Sequence, residues 1–230
     1  MSDADENALV RVEQLDKHYQ TGGEKLSILQ SISLSIWPGQ TVSIAGTSGC
    51  GKSTLLNMIS GLDSPSNGRV VVGDLDVSSL DERAAGYFRN QVLGMVFQAH
   101  HLLKEFTLLE NTAMPALIAG SNVKQAQARA KELLEMVGVG NRASHFPGAV
   151  SGGERQRAAV ARALMNNPRL ILADEPTGNL DEQHSDGVQQ LLFDVVAQTG
   201  AALVLVTHDK DFAARAQRPY LLQHGRLEEA

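Results

Sequence analysis

The residues from Gly46 to Ser53 have the types and the spacing that bind a chain of phosphates. They read Gly46-Thr47-Ser48-Gly49-Cys50-Gly51-Lys52-Ser53 and fit the pattern GxxxxGK[ST] at every fixed position. Glycines let several backbone N–H groups turn inward around an anion, because they adopt positive φ and carry no Cβ. Lys52 would place its charge at the terminal phosphates, Ser53 would ligate Mg²⁺, and Thr54 completes the predicted site for a nucleoside triphosphate. A glycine-rich turn that only joins a strand to a helix is the alternative, but it does not explain Lys52 and Ser53 in this order.

Two acids follow a buried apolar run later in the chain. Asp174 and Glu175 come directly after Leu170-Ile171-Leu172-Ala173, at the carboxyl end of a predicted strand, where open α/β sheets bind their ligands. Asp174 would hold Mg²⁺, directly or through water, and Glu175 would polarise the water that attacks the γ-phosphate. The alternative is that both acids only stabilise the start of the next helix. The phosphate-binding pattern upstream favours the catalytic interpretation.

A third run predicts a second helix start that faces an anion. It reads Val150-Ser151-Gly152-Gly153-Glu154-Arg155-Gln156-Arg157. Ser151 would cap the helix, and the paired glycines would let exposed N–H groups approach a phosphate closely. Ordinary helix capping explains Ser151, but it explains neither the glycines nor the Glu-Arg-Gln-Arg sequence after them. We therefore assign Ser151, Gly152, Gly153 and Glu154 to nucleotide binding.

The elements that must position these residues form an α/β core. An apolar run at 42–45 precedes the phosphate loop, and a helix-like stretch at 54–60 follows it. The runs 170–173 and 202–206 are continuously apolar, as in strands that are buried on both faces of a parallel sheet. Each is followed by a polar turn and a helix-like segment. This alternation predicts a mainly parallel sheet.

Strands of another kind flank this core. Alternating apolar residues at 10–15, 28–36 and 69–72 predict antiparallel β structure. Turn residues separate these runs, among them Gly22-Gly23 and Pro65-Ser66-Asn67-Gly68.

A helix-rich block interrupts the core. A Gly- and Pro-containing loop at 137–150 lies between residues 123–137 and the alanine-rich stretch 154–165. The first of these stretches has apolar residues at helical spacing, namely Ala126, Ala130, Leu133, Leu134 and Val137.

The predicted fold is α/β, with a P-loop (RecA-like) core, an antiparallel β subdomain and an inserted α-helical subdomain. We place a single domain over 1–230, with its core at about 1–98 and 166–230 and the helical subdomain at about 99–165.

The composition excludes several partners and sites. A net charge of −6 and a pI near 5.6 leave no broad cationic surface for DNA or RNA. The longest apolar run, 201–206, is far shorter than the roughly 18 to 20 residues of a membrane span. Residues 1–6 are acidic and have no apolar export segment, so we expect a cytoplasmic protein. The single cysteine, Cys50, excludes an internal disulfide and a multi-cysteine metal site, and we interpret it as a small filler of the loop.

Together these motifs resemble the ATP-binding subunits of ABC transporters over nearly the whole chain. The family signature is matched by Ser151-Gly152-Gly153-Glu154-Arg155-Gln156-Arg157, although Val150 stands where the family usually has leucine. The resemblance implies ATP and Mg²⁺ as cofactors and ATP hydrolysis as the reaction.

The remaining family motifs follow in order. Tyr19 resembles the aromatic residue that stacks on adenine, although a lone tyrosine near a strand end usually only packs. Gln98 resembles the glutamine that reaches Mg²⁺ and the attacking water, and Gly178-Asn179-Leu180-Asp181 resembles a loop at the dimer interface. His208 resembles the histidine that contacts the γ-phosphate. The resemblance therefore implies catalytic roles for Glu175, His208 and Lys52, and metal contacts for Ser53, Gln98 and Asp174.

The resemblance also implies two protein partners. In this family the phosphate loop of one subunit and the Ser-Gly-Gly run of the other clamp the same nucleotide, so we expect a homodimer around two ATP molecules. An integral membrane permease would contact the residues after Gln98, here Ala99-His100-His101-Leu102-Leu103-Lys104-Glu105-Phe106. We expect no nucleic acid partner.

Within the family, the detailed match is to the branch of lipoprotein-release ATPases, YbbA-like proteins and macrolide-exporter ATPase domains. It implies a peripheral subunit at the cytoplasmic face of a bacterial inner membrane, where it powers lipoprotein release or efflux. Two alternatives stay open, a regulatory ABC ATPase that signals through a membrane partner in cell division and a non-transport ABC ATPase. The branch is matched at His100-His101-Leu102-Leu103, 106–111, Ala113-Met114-Pro115 and 173–181.

Overall fold

The computed structural model describes residues 7–21 and 24–230, and these residues form two compact units. One unit contains the described residues up to Arg89 together with Ala202–Ala230, and the other contains Asn90–Ala201. The predicted turn Gly22-Gly23 and the acidic residues 1–6 lie outside the described residues. The predicted subdomain boundaries near 98 and 165 stay a prediction.

Strands and helices alternate along most of the described chain. The strands are β1 (Val10–Thr21), β2 (Glu24–Ile36), β3 (Thr41–Ala45), β4 (Asn67–Val72), β5 (Leu75–Asp76), β6 (Leu93–Phe97), β7 (Leu170–Asp174), β8 (Ala202–Thr207), β9 (Arg218–Gln223) and β10 (Arg226–Glu229). The α-helices are α1 (Lys52–Ile59), α2 (Glu82–Gln91), α3 (Leu108–Ile118), α4 (Val123–Met136), α5 (Gly152–Ala163), α6 (Glu182–Thr199) and α7 (Lys210–Ala214).

The first unit contains the predicted antiparallel sheet. Its strand order is β2-β1-β4-β5, and each neighbouring pair is antiparallel. β1 continues beyond the predicted end at Leu15, because register shifts between Val12 and His18 accommodate residues that break the alternation. The prediction of antiparallel structure here is confirmed.

The first unit also carries the strands that lead into the phosphate loop. In the order β10-β9-β3-β8, β3 pairs in parallel with both β8 and β9. β8 is buried along its whole length, as its continuously apolar sequence predicts. Ala45, at the end of β3, pairs with Thr207, at the end of β8. Residues that follow these two strands therefore leave the sheet at the same edge.

The second unit has its own parallel pair. β6 and β7 pair in parallel, and Phe97 at the end of one lies opposite Asp174 at the end of the other. Gln98 and Glu175, which follow these two residues, therefore leave the sheet at the same edge. The α/β class and the parallel core that the sequence predicts are confirmed.

Helices α3, α4 and α5 lie between β6 and β7 in the second unit. α4 matches its prediction, because Ala126, Ala130, Leu133 and Leu134 are buried along one face. α5 begins at Gly152 rather than at the predicted 154, because Ser151 caps it. α3 was not predicted. None of the helices within 7–21 and 24–230 has the length and apolar character of a membrane span.

Candidate functional site

The phosphate loop connects β3 to α1 in the first unit. Gly49 and Gly51 have φ values of 78° and 108°, which residues with side chains rarely adopt. Lys52, the first residue of α1, is only 7% exposed. Its Nζ donates hydrogen bonds to the carbonyl oxygens of Gly46 at 2.9 Å and Thr47 at 3.1 Å. The lysine ammonium therefore lies inside the loop.

Gly46 packs directly against β9. A Cβ at this position would lie 2.6 Å from the carbonyl oxygen of Leu222 and 2.6 Å from the Cys50 sulfur. The carbonyl belongs to a strand in the sheet and cannot move away as a flexible side chain can. No residue larger than glycine fits at position 46. The Cys50 sulfur occupies the space beside Gly46, which supports the interpretation of Cys50 as a small filler of the loop.

Two cavities border the phosphate loop within the first unit. One of about 670 Å³ is lined by Gly46, Thr47 and His208, together with residues of α7 and β9. The other, of about 700 Å³, is lined by residues 47–50, by β2 and by the turn between β9 and β10. His208 and the phosphate loop, predicted from separate motifs, therefore share one cavity.

The backbone next to His208 is fixed by a helix cap. The Asp209 carboxylate accepts hydrogen bonds from the backbone N–H groups of Asp211 and Phe212, both at 3.0 Å, at the start of α7. The Asp209 N–H donates to the Thr207 hydroxyl at 3.0 Å. His208 therefore lies between a buried strand and a capped helix, which restricts where its imidazole can point.

Tyr19 belongs to a polar cluster on the first unit. Its hydroxyl donates to Asp63 Oδ2 at 2.8 Å, and Lys17 Nζ donates to Asp63 Oδ1 at 2.7 Å. Burial and the hydrogen bond to Asp63 raise the pKa of the Tyr19 phenol, so the ring stays neutral. The Tyr19 side chain is held at its tip, and the residue is 38% exposed. Lys17 Nζ also lies over one face of the Tyr19 ring, 4.8 Å from its centroid, and the stacking role of Tyr19 stays a prediction.

In the second unit, Gln98 is joined to the loop Gly178-Asn179-Leu180-Asp181. Gln98 Nε2 donates to Asn179 Oδ1 at 3.1 Å, and Asn179 Nδ2 donates to the Gln98 carbonyl at 3.0 Å. A Cβ on Gly178 would come within 2.8 Å of Gln98 Nε2, so a larger residue at this position would displace the Gln98 side chain. The structure thus brings together two motifs that the sequence treats separately.

Glu175 follows β7 with a left-handed backbone. Its φ is 47°, which is uncommon for a residue with a side chain. Its carbonyl accepts a hydrogen bond from the Gly178 N–H at 3.0 Å, which closes the turn into the loop 178–181. Asp174 lies opposite Phe97, so the acids and Gln98 share one strand edge. Their catalytic and metal-binding roles stay predictions.

The start of α5 is capped reciprocally. Ser151 Oγ accepts from the Glu154 N–H at 3.2 Å, and the Ser151 N–H donates to Glu154 Oε2 at 2.8 Å. Hydrogen bonds from the Ser151 N–H and from Arg142 lower the pKa of Glu154 to about 2. A Cβ on Gly152 would lie 3.2 Å from the Leu180 side chain. The capping predicted for Ser151 is confirmed, and nucleotide binding by Glu154 stays a prediction.

Sequence reasoning missed several polar residues that shape these surroundings. A buried asparagine in an otherwise apolar helix is a recognisable signal, and Asn111 is 1% exposed inside α3. The others are recognised only from contacts between residues far apart in the chain, and they are Lys17, Asp63 and Arg162.

Comparison with known proteins identifies the family. The model of the ABC transporter family matches residues 29–178. Proteins described as "Lipoprotein-releasing system ATP-binding protein LolD" from Alcanivorax borkumensis, Pseudomonas syringae pv. tomato and Treponema denticola are 48%, 47% and 49% identical to the chain. These alignments cover 95%, 98% and 96% of this chain and 96%, 99% and 98% of the relatives.

A solved structure leads to the same family. A dimeric post-hydrolysis state of the ATP-binding cassette MJ0796, bound to ADP and Pi, is similar with a TM-score of 0.88 and 37% identity. The similarity covers 96% of this chain and 97% of that one. The predicted family resemblance is confirmed: the chain belongs to the ABC transporter family, as one of its ATP-binding subunits.

Proposed function

We propose that this chain is the ATP-hydrolysing subunit of an ABC transporter that releases lipoproteins from a bacterial inner membrane through a separate permease. The observation that carries the proposal is the phosphate loop, with Gly46 packed on β9 and the Lys52 ammonium directed inward. ATP hydrolysis follows from the family. The lipoprotein part is supported by the three relatives, because each is described as part of a lipoprotein-releasing system.

Nucleotide binding would begin at residues 46–54. The loop N–H groups and the N-terminus of α1 would surround the phosphates, and Lys52 would add its charge at the β- and γ-phosphates. The Tyr19 ring would stack on adenine, and the hydrogen bond to Asp63 would hold the ring in place.

Mg²⁺ fits the donor atoms of the predicted ligands. The Ser53 hydroxyl, the Gln98 amide and the Asp174 carboxylate all offer the hard oxygen ligands that this ion prefers. When bound, the ion would neutralise negative charge on the phosphates during the reaction. The carbonyl of Gln98 is held by Asn179, which would keep the backbone of this ligand in one position.

Hydrolysis would depend on Glu175 and His208. The Glu175 carboxylate would accept a proton from water while the water oxygen bonds to the γ-phosphorus and the bond to the β-phosphate oxygen breaks. ADP and phosphate are the products, and the proton passes on to phosphate or solvent. His208 would contact the γ-phosphate, and Lys52 would stabilise the charge that develops.

Two copies would enclose two nucleotides. Ser151, Gly152 and Gly153 of one copy would contact the γ-phosphate held by the phosphate loop of its partner, because a capped helix start presents free N–H groups to an anion. The dimeric cassette with ADP and Pi supports this assembly. ATP would close the dimer, and hydrolysis would open it.

The permease would contact the segment 99–106. Leu103 and Phe106 are 46% and 38% exposed there, and exposed apolar side chains suit a protein partner. Asn111 fixes the shape of this segment, since it accepts from the Leu103 N–H at 2.7 Å and donates to the carbonyls of Leu103 and Phe106. The chain would then lie peripherally at the cytoplasmic face of the inner membrane.

Purification of the complex would test the proposal. The tagged chain is isolated from detergent-solubilised membranes, the attached permease is identified, and the complex is reconstituted in vesicles loaded with a lipoprotein. We expect ATP-dependent release with the wild type and none with Glu175→Gln. ATP hydrolysis without lipoprotein release would reject the cargo and leave the ATPase assignment. Association with ribosomes or DNA instead of a permease would reject the transporter itself.

A further inference from the structure

Residues on both sides of Gln98 are bound to helix α5. Before it, the Phe97 carbonyl accepts a hydrogen bond from Gln156 Nε2 at 3.2 Å. After it, the carbonyl of His100 accepts a hydrogen bond from Arg162 at 2.8 Å, and the carbonyl of His101 accepts a second one from the same guanidinium. The segment 97–101 is therefore attached to the side chains of one helix at two places.

The His100 side chain makes a further contact, with the beginning of helix α5. Its Nε2 lies 3.1 Å from the carbonyl oxygen of Gly152. A carbonyl oxygen only accepts hydrogen bonds, so Nε2 must carry the hydrogen and donate.

Arg162 suits its position because its guanidinium presents several donors in one plane. Two successive carbonyls can bind it at once, which a lysine ammonium cannot reproduce with the same geometry. His101 has a φ of 49°, in the left-handed region. Its ring packs edge-on against the Phe97 ring, with the two ring centroids 5.1 Å apart. The two hydrogen bonds from Arg162 hold the backbone in this uncommon conformation.

These contacts join two parts of the site that the sequence separates. Gly152 lies in the first turn of α5, the turn that presents N–H groups at Gly152 and Gly153. Gln98 lies between the two places at which α5 binds the segment. A displacement of the segment 97–101 would therefore shift the first turn of α5, because the His100 imidazole is hydrogen-bonded to the Gly152 carbonyl.

We propose that His100 and Arg162 are positioning residues, which join the segment 97–101 to the first turn of α5 so that Ser151, Gly152 and Gly153 are set for hydrolysis in the partner's site. The inference rests on the proposed function, because it takes these three residues as the contact to the γ-phosphate. Neither residue belongs to the predicted nucleotide-binding residues. Their removal should slow turnover and leave the phosphate loop unchanged.

A matched pair of substitutions tests the imidazole. Gln places an Nε2 donor near the position of the imidazole Nε2, whereas Met has a similar length and no donor. We expect His100→Met to lower kcat for ATP hydrolysis by about fivefold, the order of one lost hydrogen bond, and His100→Gln to recover most of it. The Kd for Mg-ADP, which has no γ-phosphate, should be unchanged in both variants. Arg162→Lys should lower kcat in the same way.

Three results would overturn the inference. Wild-type kcat in His100→Met would exclude a role for the hydrogen bond. Equal loss in His100→Met and His100→Gln would show that the donor is irrelevant. Weaker Mg-ADP binding in parallel with kcat, or a Tm lowered by more than about 5 °C, would indicate a merely structural role. The His100 pair decides the matter if Arg162→Lys does not fold.

The Glu175→Gln variant in the same assay separates this inference from the proposed function. If Glu175→Gln hydrolyses ATP like the wild type, the proposed function fails. If Glu175→Gln is inactive while His100→Met keeps its full kcat, only the positioning role fails.

Discussion

Lys52 is held in place by the carbonyl groups of the phosphate loop. Its ammonium is almost fully buried among loop carbonyls, so it is fixed where phosphates would bind. We expect Lys52→Ala to weaken Mg-ATP binding and to lower kcat/KM by at least about a hundredfold, because a positioned charge is lost in the ground state and the transition state together. Steady-state kinetics and nucleotide titration measure both effects.

Lys124→Ala is the control for this variant. Lys124 is an exposed residue of α4, so the substitution removes the same charge from the chain without touching the loop. Its kinetics should match those of the wild type. Full activity in Lys52→Ala would contradict the nucleotide assignment of the loop.

At the scale of residues, the sequence predicts interactions between residues that are close in the chain and misses those between residues that are far apart. The phosphate loop was predicted because its glycines, Lys52 and Ser53 are adjacent in the chain and each type has a separate physical reason. The cluster of Tyr19, Lys17 and Asp63 was not predicted, because Tyr19 and Asp63 are 44 positions apart and nothing in either neighbourhood marks the pair.

At the scale of elements, the cap of α5 predicts a dependence of stability on pH. The Glu154 carboxylate has a folded-state pKa of about 2, below the value of about 4.3 in an unfolded chain. A lowered pKa means that the carboxylate stabilises the fold above about pH 5 and that this contribution is lost as the pH falls towards 2. The contribution should be about 1 kcal/mol, because solvent screens a partly exposed group.

The measurement is the free energy of unfolding in denaturant at pH 7, 4 and 3. Glu154→Gln should be less stable than the wild type at pH 7, and the difference should shrink as the pH falls. Glu105→Gln, at an exposed position, reports the general effect of removing one carboxylate. A difference that stays constant from pH 7 to pH 3 would contradict the role of the charged cap.

The helices differ in how far their sequences predict them. α4 carries its buried residues on one face, so its apolar spacing alone is sufficient. α3 was missed because its apolar residues do not gather on one face and because Pro115 lies inside it, which usually indicates a helix end. α3 begins at a reciprocal cap between Thr107 and Glu110, the one local signal that could have revealed it.

At the scale of the whole molecule, the proposed cycle predicts a change of oligomeric state. With Glu175→Gln, ATP should bind while hydrolysis falls by about a hundredfold or more, so that the closed dimer accumulates in Mg-ATP. Light scattering after size-exclusion chromatography measures the mass with Mg-ATP and with Mg-ADP. We expect a dimer with the first and a lower average mass with the second.

Ser151→Tyr in the Glu175→Gln background is the matched control. The bulky ring would stand at the start of α5, between the two copies, and should prevent dimer formation while the phosphate loop still binds ATP. A dimer that forms equally well in this double variant would contradict the assignment of Ser151 to the partner's nucleotide. A single copy under every condition would contradict the shared site.

The left-handed backbone of Glu175 has a consequence for the heat resistance of the protein. At φ 47° a glycine is relaxed and an alanine is strained, so Glu175→Gly should unfold at a higher temperature than Glu175→Ala, with a free energy difference of about 1 kcal/mol. Calorimetry of the two variants measures this difference, and equal transition temperatures would contradict it. A screen of this position for heat resistance alone would therefore favour glycine over alanine, although neither residue keeps the carboxylate that we propose accepts the proton from water.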